Sequence, residues 1–159
     1  MMEPSDEDLE VYLKYASELT RFATGLVGPG DAPDVVQDAV LRAMYSRAWP
    51  SVHNKRAFLF RSVFNEAISS ARSADRRRRR EKKAADASVP AAEEELAPEV
   101  RAMVDRLSVR QRAVILLTYW ADLDPSAIAR LLRISEGSVH RHLARARARL
   151  KEMLEENAI

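Results

Sequence analysis

The chain has no cysteine, and only four of its 159 residues are glycine. Without thiols, neither a disulfide framework nor thiolate chemistry is open to it, which suits a reducing cytosol. Aromatic residues make up 6%. With so few rings and glycines, composition points to helices rather than a sheet. No apolar run approaches the roughly 20 residues of a membrane span, and no signal peptide opens the chain. There is no glycine-rich phosphate loop, so no ATP is implied, and no other cofactor is expected. No constellation of nucleophile, base or metal ligands is visible. His140 and His142 are two apart on a predicted helix and diverge, so no metal is expected and an enzyme is the least favoured class.

What is present is charge in blocks. The net charge of +2 conceals −5 over residues 1–50, +8 over 51–83, −5 over 84–105, +7 over 106–151 and −3 over 152–159. Two basic blocks around an acidic connector suggest two contacts with a polyanion. The acidic first block would be repelled by DNA and should face something else. Apolar residues at 47% suffice for a packed core, in one domain or two small ones.

The stretch Asp124 to Leu150 reads as two short helices joined by a tight turn. Asp124 is a good N-cap, and Pro125 suits the first helical position. Ile128, Leu131 and Leu132 form an apolar face, the helix ends near Arg133, and Ser135 can cap the next one. There Val139, Leu143, Ala146, Leu150 and Met153 stay on one stripe at about 100° per residue. Arg141 and Arg145 fall opposite it, and His140, Ala144, Arg147 and Lys151 line one flank. An apolar back and an arginine front suit a major-groove helix. Arginine forks onto guanine edges or pairs with phosphate, and Ala144 can sit beside a thymine methyl. The plain alternative is a solvated amphipathic helix. The capped helix and short turn before it favour helix-turn-helix geometry.

Earlier in the chain, Ser5 followed by Asp6, Glu7 and Asp8 is a helix start. Leu9, Leu13, Ala16, Leu19, Phe22, Ala23 and Leu26 give a continuous apolar face, and Gly28-Pro29-Gly30 ends the helix. Asp31 is expected to cap a second helix with Pro33 in its first turn. Val36, Ala39, Val40, Ala43 and Met44 face inward, and Asp34, Gln37, Asp38 and Arg42 outward. Trp49-Pro50 breaks the pattern, Ser51 to Asn54 reads as a loop, and Asn54 caps a third helix running to about Arg80. Phe58, Leu59, Ser62, Val63, Ala67, Ile68 and Ala71 form its inner face. Phe60 and Phe64 lie off that stripe, either as a second packing face or as exposed rings able to stack on unpaired bases. Arg76 to Arg80 is a pure arginine run. It is either a solvated helix end or a contact with a phosphate backbone that releases counterions. Residues 84–97 are alanine-rich, carry Pro90, and read as a linker. Helix resumes at about Pro98, and Ser108 with Gln111 forms a capping box.

Taken together these pieces resemble the RNA polymerase sigma-70 family, in its extracytoplasmic-function (ECF) form with region 2 and region 4 only. RLSVRQRAVILLTYWADLDPSAIARLLRISEGSVHRHLARARARLKEML tracks region 4. DAPDVVQDAVLRA looks like region 2.2, and FLFRSVFNEAISSAR looks like regions 2.3 and 2.4. The resemblance implies an all-α chain of two small helical domains, 1–83 and 98–159, joined by the linker 84–97. It implies a cytoplasmic, non-catalytic transcription initiation factor. Asp34, Gln37, Asp38, Leu41 and Arg42 would contact the beta-prime clamp coiled coil of core RNA polymerase, with the beta flap a further contact. Phe60, Arg61, Phe64, Asn65, Arg72 and Arg76, with the loop Pro50 to Asn54, would read the −10 element of promoter DNA. His140, Arg141, Ala144 and Arg145 would read the −35 element, with Ser138 and Arg147 on phosphates. Glu93, Glu94 and Glu95 in the linker would mimic RNA charge. Dedicated anti-sigma factors are common in the family, so one is a candidate partner.

The chain departs from the family pattern at several positions. Phe58 stands for tryptophan, Ser69 for aspartate, Pro33 and Ala127 for glutamate, and Arg133 for the glycine of the turn. If that turn needs positive φ, arginine costs about 1 kcal/mol there. Two rivals fit less of the chain. A dimeric operator-binding helix-turn-helix regulator leaves the acidic second helix without a role. A sigma mimic that sequesters an anti-sigma factor would usually carry a receiver domain and a decayed recognition helix.

Overall fold

A computed structural model describes residues 3–80 and 98–158, the side chains of 73–80 excepted. The expected linker 84–97, with Glu93, Glu94 and Glu95, lies outside the described residues, as do the side chains of Arg76 to Arg80. All regular structure among the described residues is helical, in two compact units divided within the stretch 81–97.

The first unit contains α1 (Asp6–Val27), α2 (Ala32–Tyr45), a 3-10 turn (Trp49–Ser51) and α3 (Lys55–Arg80). α1 starts in a capping box. The Asp8 N–H donates to Ser5 Oγ at 3.2 Å, and the Ser5 N–H donates to Asp8 Oδ2 at 2.9 Å. Two of the orphan donors of the first turn are thereby satisfied. The helix stops at Gly28, whose φ of 90° would strain any residue with a side chain. Asn54 caps α3 as expected, accepting from the Ala57 N–H at 2.9 Å.

Asp31 does not cap α2. Its backbone is already helical (φ −93°, ψ −18°) and its side chain makes no capping hydrogen bond. An N-cap needs extended backbone to bring its side-chain oxygen onto the first turn. Pro33 is tolerated because first-turn N–H groups have no partner within the helix.

Each of the three helices packs on the other two. Leu19, Phe22, Ala23 and Leu26 of α1 meet Val35, Val36, Ala39, Val40, Ala43 and Met44 of α2. Facing both are Leu59, Phe60, Val63, Phe64 and Ala67 of α3. Phe60 and Phe64 are 2% and 3% exposed, and the Phe60 ring lies 5.2 Å from that of Phe22. These two rings are core, not free surfaces for bases. α3 packs against two helices at once, which widens its buried arc beyond a single stripe. Phe58, expected inside, is only half-buried. The start of α1 also departs from expectation, since Leu9 and Leu13 are 50% and 72% exposed. Leu9 and Tyr12 line a groove of about 390 Å³ with Val36, Val40, Leu41 and Met44.

The second unit contains α4 (Pro98–Asp105), α5 (Val109–Tyr119), α6 (Pro125–Leu132) and α7 (Glu136–Asn157), with α4, α5 and α6 all packing on α7. Ser108 and Gln111 form the expected capping box at α5. Val104, Leu107, Ala113, Val114, Leu117, Ile128, Leu132, Val139, Leu143, Ala146 and Met153 are buried. α4 is short, and its C-terminal end is held by a neighbour. Arg112 Nε donates to the carbonyls of Val104 (3.2 Å) and Leu107 (3.0 Å), and its Nη2 donates to that of Asp105 (2.9 Å). One guanidinium thus ties two carbonyls in the last turn of α4 to that of Leu107 just beyond it.

Candidate nucleic-acid interface

The helix-turn-helix is built by local hydrogen bonds at each end of its first helix. Asp124 Oδ1 accepts from the Ala127 N–H at 2.8 Å and fixes the start of α6. Arg133 ends it in the left-handed conformation (φ 55°, ψ 47°). The Ile134 N–H then bonds the Ala129 carbonyl at 3.1 Å. Ser135 Oγ accepts from the Ser138 N–H at 3.0 Å and starts α7. The turn does require positive φ, so Arg133 carries the strain that the missing glycine would avoid. A second left-handed residue, Asp122 (φ 54°), stands between α5 and α6. Aspartate tolerates this region better than most residues.

α7 has two chemically distinct faces. Val139 and Ala146 are fully buried, Met153 and Leu143 nearly so, and Leu150 half. His140, Arg141, Ala144, Arg145, Arg147 and Lys151 are exposed, and Ser138 is half-buried in the first turn. His140 Nε2 lies 3.7 Å from Glu136, a pairing that is ionic only when the imidazole is protonated. His142 sits at the edge of the buried stripe. Burial pushes its pKa below the ordinary histidine value, and the nearby charges of Arg110, Arg145 and Arg141 push the same way. It is therefore a neutral packing group near pH 7. Arg147 is held by a neighbour that the sequence did not single out. Its Nε donates to the Tyr119 hydroxyl at 2.9 Å, and its guanidinium lies 5.7 Å from the centre of that ring.

In the first unit Asn65 and Arg72 are exposed and Arg61 is half-buried on α3. The Arg61 guanidinium lies 5.3 Å from the centre of the Phe58 ring, which meets Trp49 edge-on at 5.9 Å. The aromatic ring on this surface is Phe58, while Phe60 and Phe64 face the core. The segment before α3 is pinned from both sides. Trp49 is buried, and its Nε1–H donates to Asp8 Oδ1 at 2.7 Å. Lys55 Nζ donates to the Trp49 carbonyl at 2.8 Å and sits 4.3 Å over its ring. The Trp49 hydrogen bond, and then the Ser5 N–H, hold the Asp8 carboxyl below the usual aspartate pKa. Neither pin was visible in the sequence, because both join residues that local pattern does not relate.

On α2, Asp34, Gln37, Asp38, Leu41 and Arg42 are all exposed and share one side of the helix. Arg42 is paired to Glu66 of α3 at 3.4 Å, so the acids dominate the outer charge. Among the described residues no group of three or more His, Cys, Asp or Glu is placed to hold a metal. No helix among them is long and apolar enough to cross a membrane.

Comparison with known proteins covers both units. Residues 11–77 match the family Sigma-70 region 2, and residues 98–150 match Sigma-70, region 4. The chain is 33% identical over 155 residues to an RNA polymerase sigma-E factor of Streptomyces avermitilis, covering 93% of this chain and 86% of that one. It is 34% identical over 158 residues to the ECF RNA polymerase sigma factor SigL of Mycobacterium tuberculosis, covering 92% and 88%. In fold it is similar to the sigma factor RpoE of Bartonella quintana, solved in complex with the anti-sigma factor NepR. The TM-score there is 0.72 at 24% identity, over 95% of this chain and 98% of that one.

Proposed function

The chain belongs to the sigma-70 family of RNA polymerase sigma factors, in its extracytoplasmic-function branch, and on that premise we propose how its residues divide the work of transcription initiation. A sigma factor binds core RNA polymerase and directs it to promoter DNA. In our reading Asp34, Gln37, Asp38, Leu41 and Arg42 dock on the beta-prime clamp coiled coil. Arg141 and Arg145, with His140 and Ala144, read base edges of the −35 element, and Ser138 and Arg147 hold its phosphates. Arg61, Asn65 and Arg72, with the pinned segment Pro50 to Asn54, engage the opened −10 strand. The observation that carries this reading is the construction of α7, which has a buried apolar back, a cationic exposed front and a capped helix-turn-helix to present it.

The protein supplies binding free energy, and bond formation stays with the polymerase, in the cytoplasm. Unstacking a base costs a few kcal/mol, which a fitted pocket on the protein offsets. An anti-sigma factor is the class of regulator expected to silence it, by covering one of these faces. The test is run-off transcription with purified core polymerase on fragmented genomic DNA. Discrete transcripts that share upstream elements at −35 and −10 support the reading. Polymerase that binds the protein yet starts at no defined site overturns it.

A further inference from the structure

We propose that Tyr119 and Arg147 together form a phosphodiester clamp, a DNA-backbone site at the junction of α5 and α7 that fixes how α7 lies along the groove. The inference rests on the reading of α7 as the −35 helix and adds a residue from outside the helix-turn-helix. Tyr119 is the last residue of α5 and is 62% exposed. Its hydroxyl accepts from Arg147 Nε at 2.9 Å, which leaves the hydroxyl proton available to donate. Using Nε for this bond leaves the two terminal guanidinium nitrogens for an oxyanion, the edge with which arginine forks onto phosphate.

No acidic side chain among the described residues pairs with Arg147. Its charge is thus not neutralised within the unit, unlike that of Arg42 or Arg56, which pair with Glu66 and Glu18. Arg147 lies on the flank of α7 shared by His140 and Lys151, at about 20° from His140 when each residue turns by roughly 100°. A free arginine side chain loses considerable rotamer freedom when it binds. Tyr119 removes part of that loss beforehand, by hydrogen bond and by ring contact. The pair therefore offers a charged fork and a neutral hydroxyl to the same phosphate, on a flank beside the base-reading front.

The test uses holoenzyme and the strongest promoter fragment from the run-off experiment, with affinity read by fluorescence anisotropy. Tyr119→Phe keeps the ring against the guanidinium and removes only the hydroxyl. It should weaken binding about three- to tenfold and leave the salt dependence unchanged, because no charge is lost. Arg147→Ala should weaken binding further and lower the slope of log affinity against log salt by about 1. In the double variant Tyr119→Phe should add less than about twofold, because the two groups act on one phosphate. A methylphosphonate scan with the unaltered protein and both single variants should show one backbone position whose neutralisation abolishes the effect of both substitutions. Normal binding by Tyr119→Phe, full additivity of the two substitutions, or no such position overturns the clamp. Arg145→Ala separates the two levels: if it weakens binding while Tyr119→Phe does not, only the clamp falls. If neither matters, the −35 reading of α7 falls as well.

Discussion

Arg133 stands at φ 55°, where the side chain of an L-residue meets its own backbone at a cost of about 1–2 kcal/mol. Replacing it with glycine relieves that contact but gives the unfolded chain more freedom to lose. The expected outcome for Arg133→Gly is a net gain of about 1 kcal/mol or less, read as a higher urea midpoint at unchanged slope. His142 gives a second prediction. Its pKa is lowered in the folded state, so below the unfolded value of about 6.5 the unfolded chain takes up more protons than the native one. Stability of the second unit should then fall as pH drops through that value towards the folded one, and recover as pH rises. His142→Gln should flatten this dependence in denaturation curves recorded between about pH 7 and pH 5. A dependence unchanged by the substitution would place the titrating group elsewhere.

Elements were legible where their signals are short-range. The caps at Ser5, Asn54, Ser108, Asp124 and Ser135 join atoms three residues apart, so residue type and spacing carry them. Asp31 fails although its residue type is right, because the chain enters α2 already helical. Phe60 and Phe64 were ambiguous because their fate depends on how many helices cover α3. The Arg112 grip on α4 and the Tyr119 grip on Arg147 join different helices, and nothing local encodes them. The candidate site shows the same split. The faces of α2 and α7 follow from periodicity, while the surface placement of Phe58 needed the fold. A pair of substitutions tests the two faces against each other. Arg145→Ala should cost about 1–3 kcal/mol of −35 binding and leave co-purification with core polymerase intact. Asp38→Arg should abolish co-purification and leave α2 folded by circular dichroism. Equal loss of both activities in either variant would point to misfolding rather than to a lost contact.

At the scale of the whole chain, a net charge of +2 describes neither working surface. What matters is that the acidic face of α2 and the cationic face of α7 rest on separate buried sets. Leu59 is fully buried in the first unit, and Leu59→Ala removes enough packing to cost about 2–5 kcal/mol. Because the two cores are distinct, amide exchange should quicken in α1, α2 and α3 and stay unchanged in α5, α6 and α7. Faster exchange throughout would mean that the two units unfold as one.

The Asp8 carboxylate serves two masters, since one oxygen closes the first turn of α1 and the other secures the indole of Trp49, 41 residues further along the chain. Fraying at the very beginning of the first helix therefore cannot remain a local event. It would slacken the tether of the Pro50 to Asn54 segment, and with it the posture of the residues assigned to the melted strand. On the proposed assignment, fidelity at the −10 element would then depend on the order of a few amino acids far upstream of the residues that engage it.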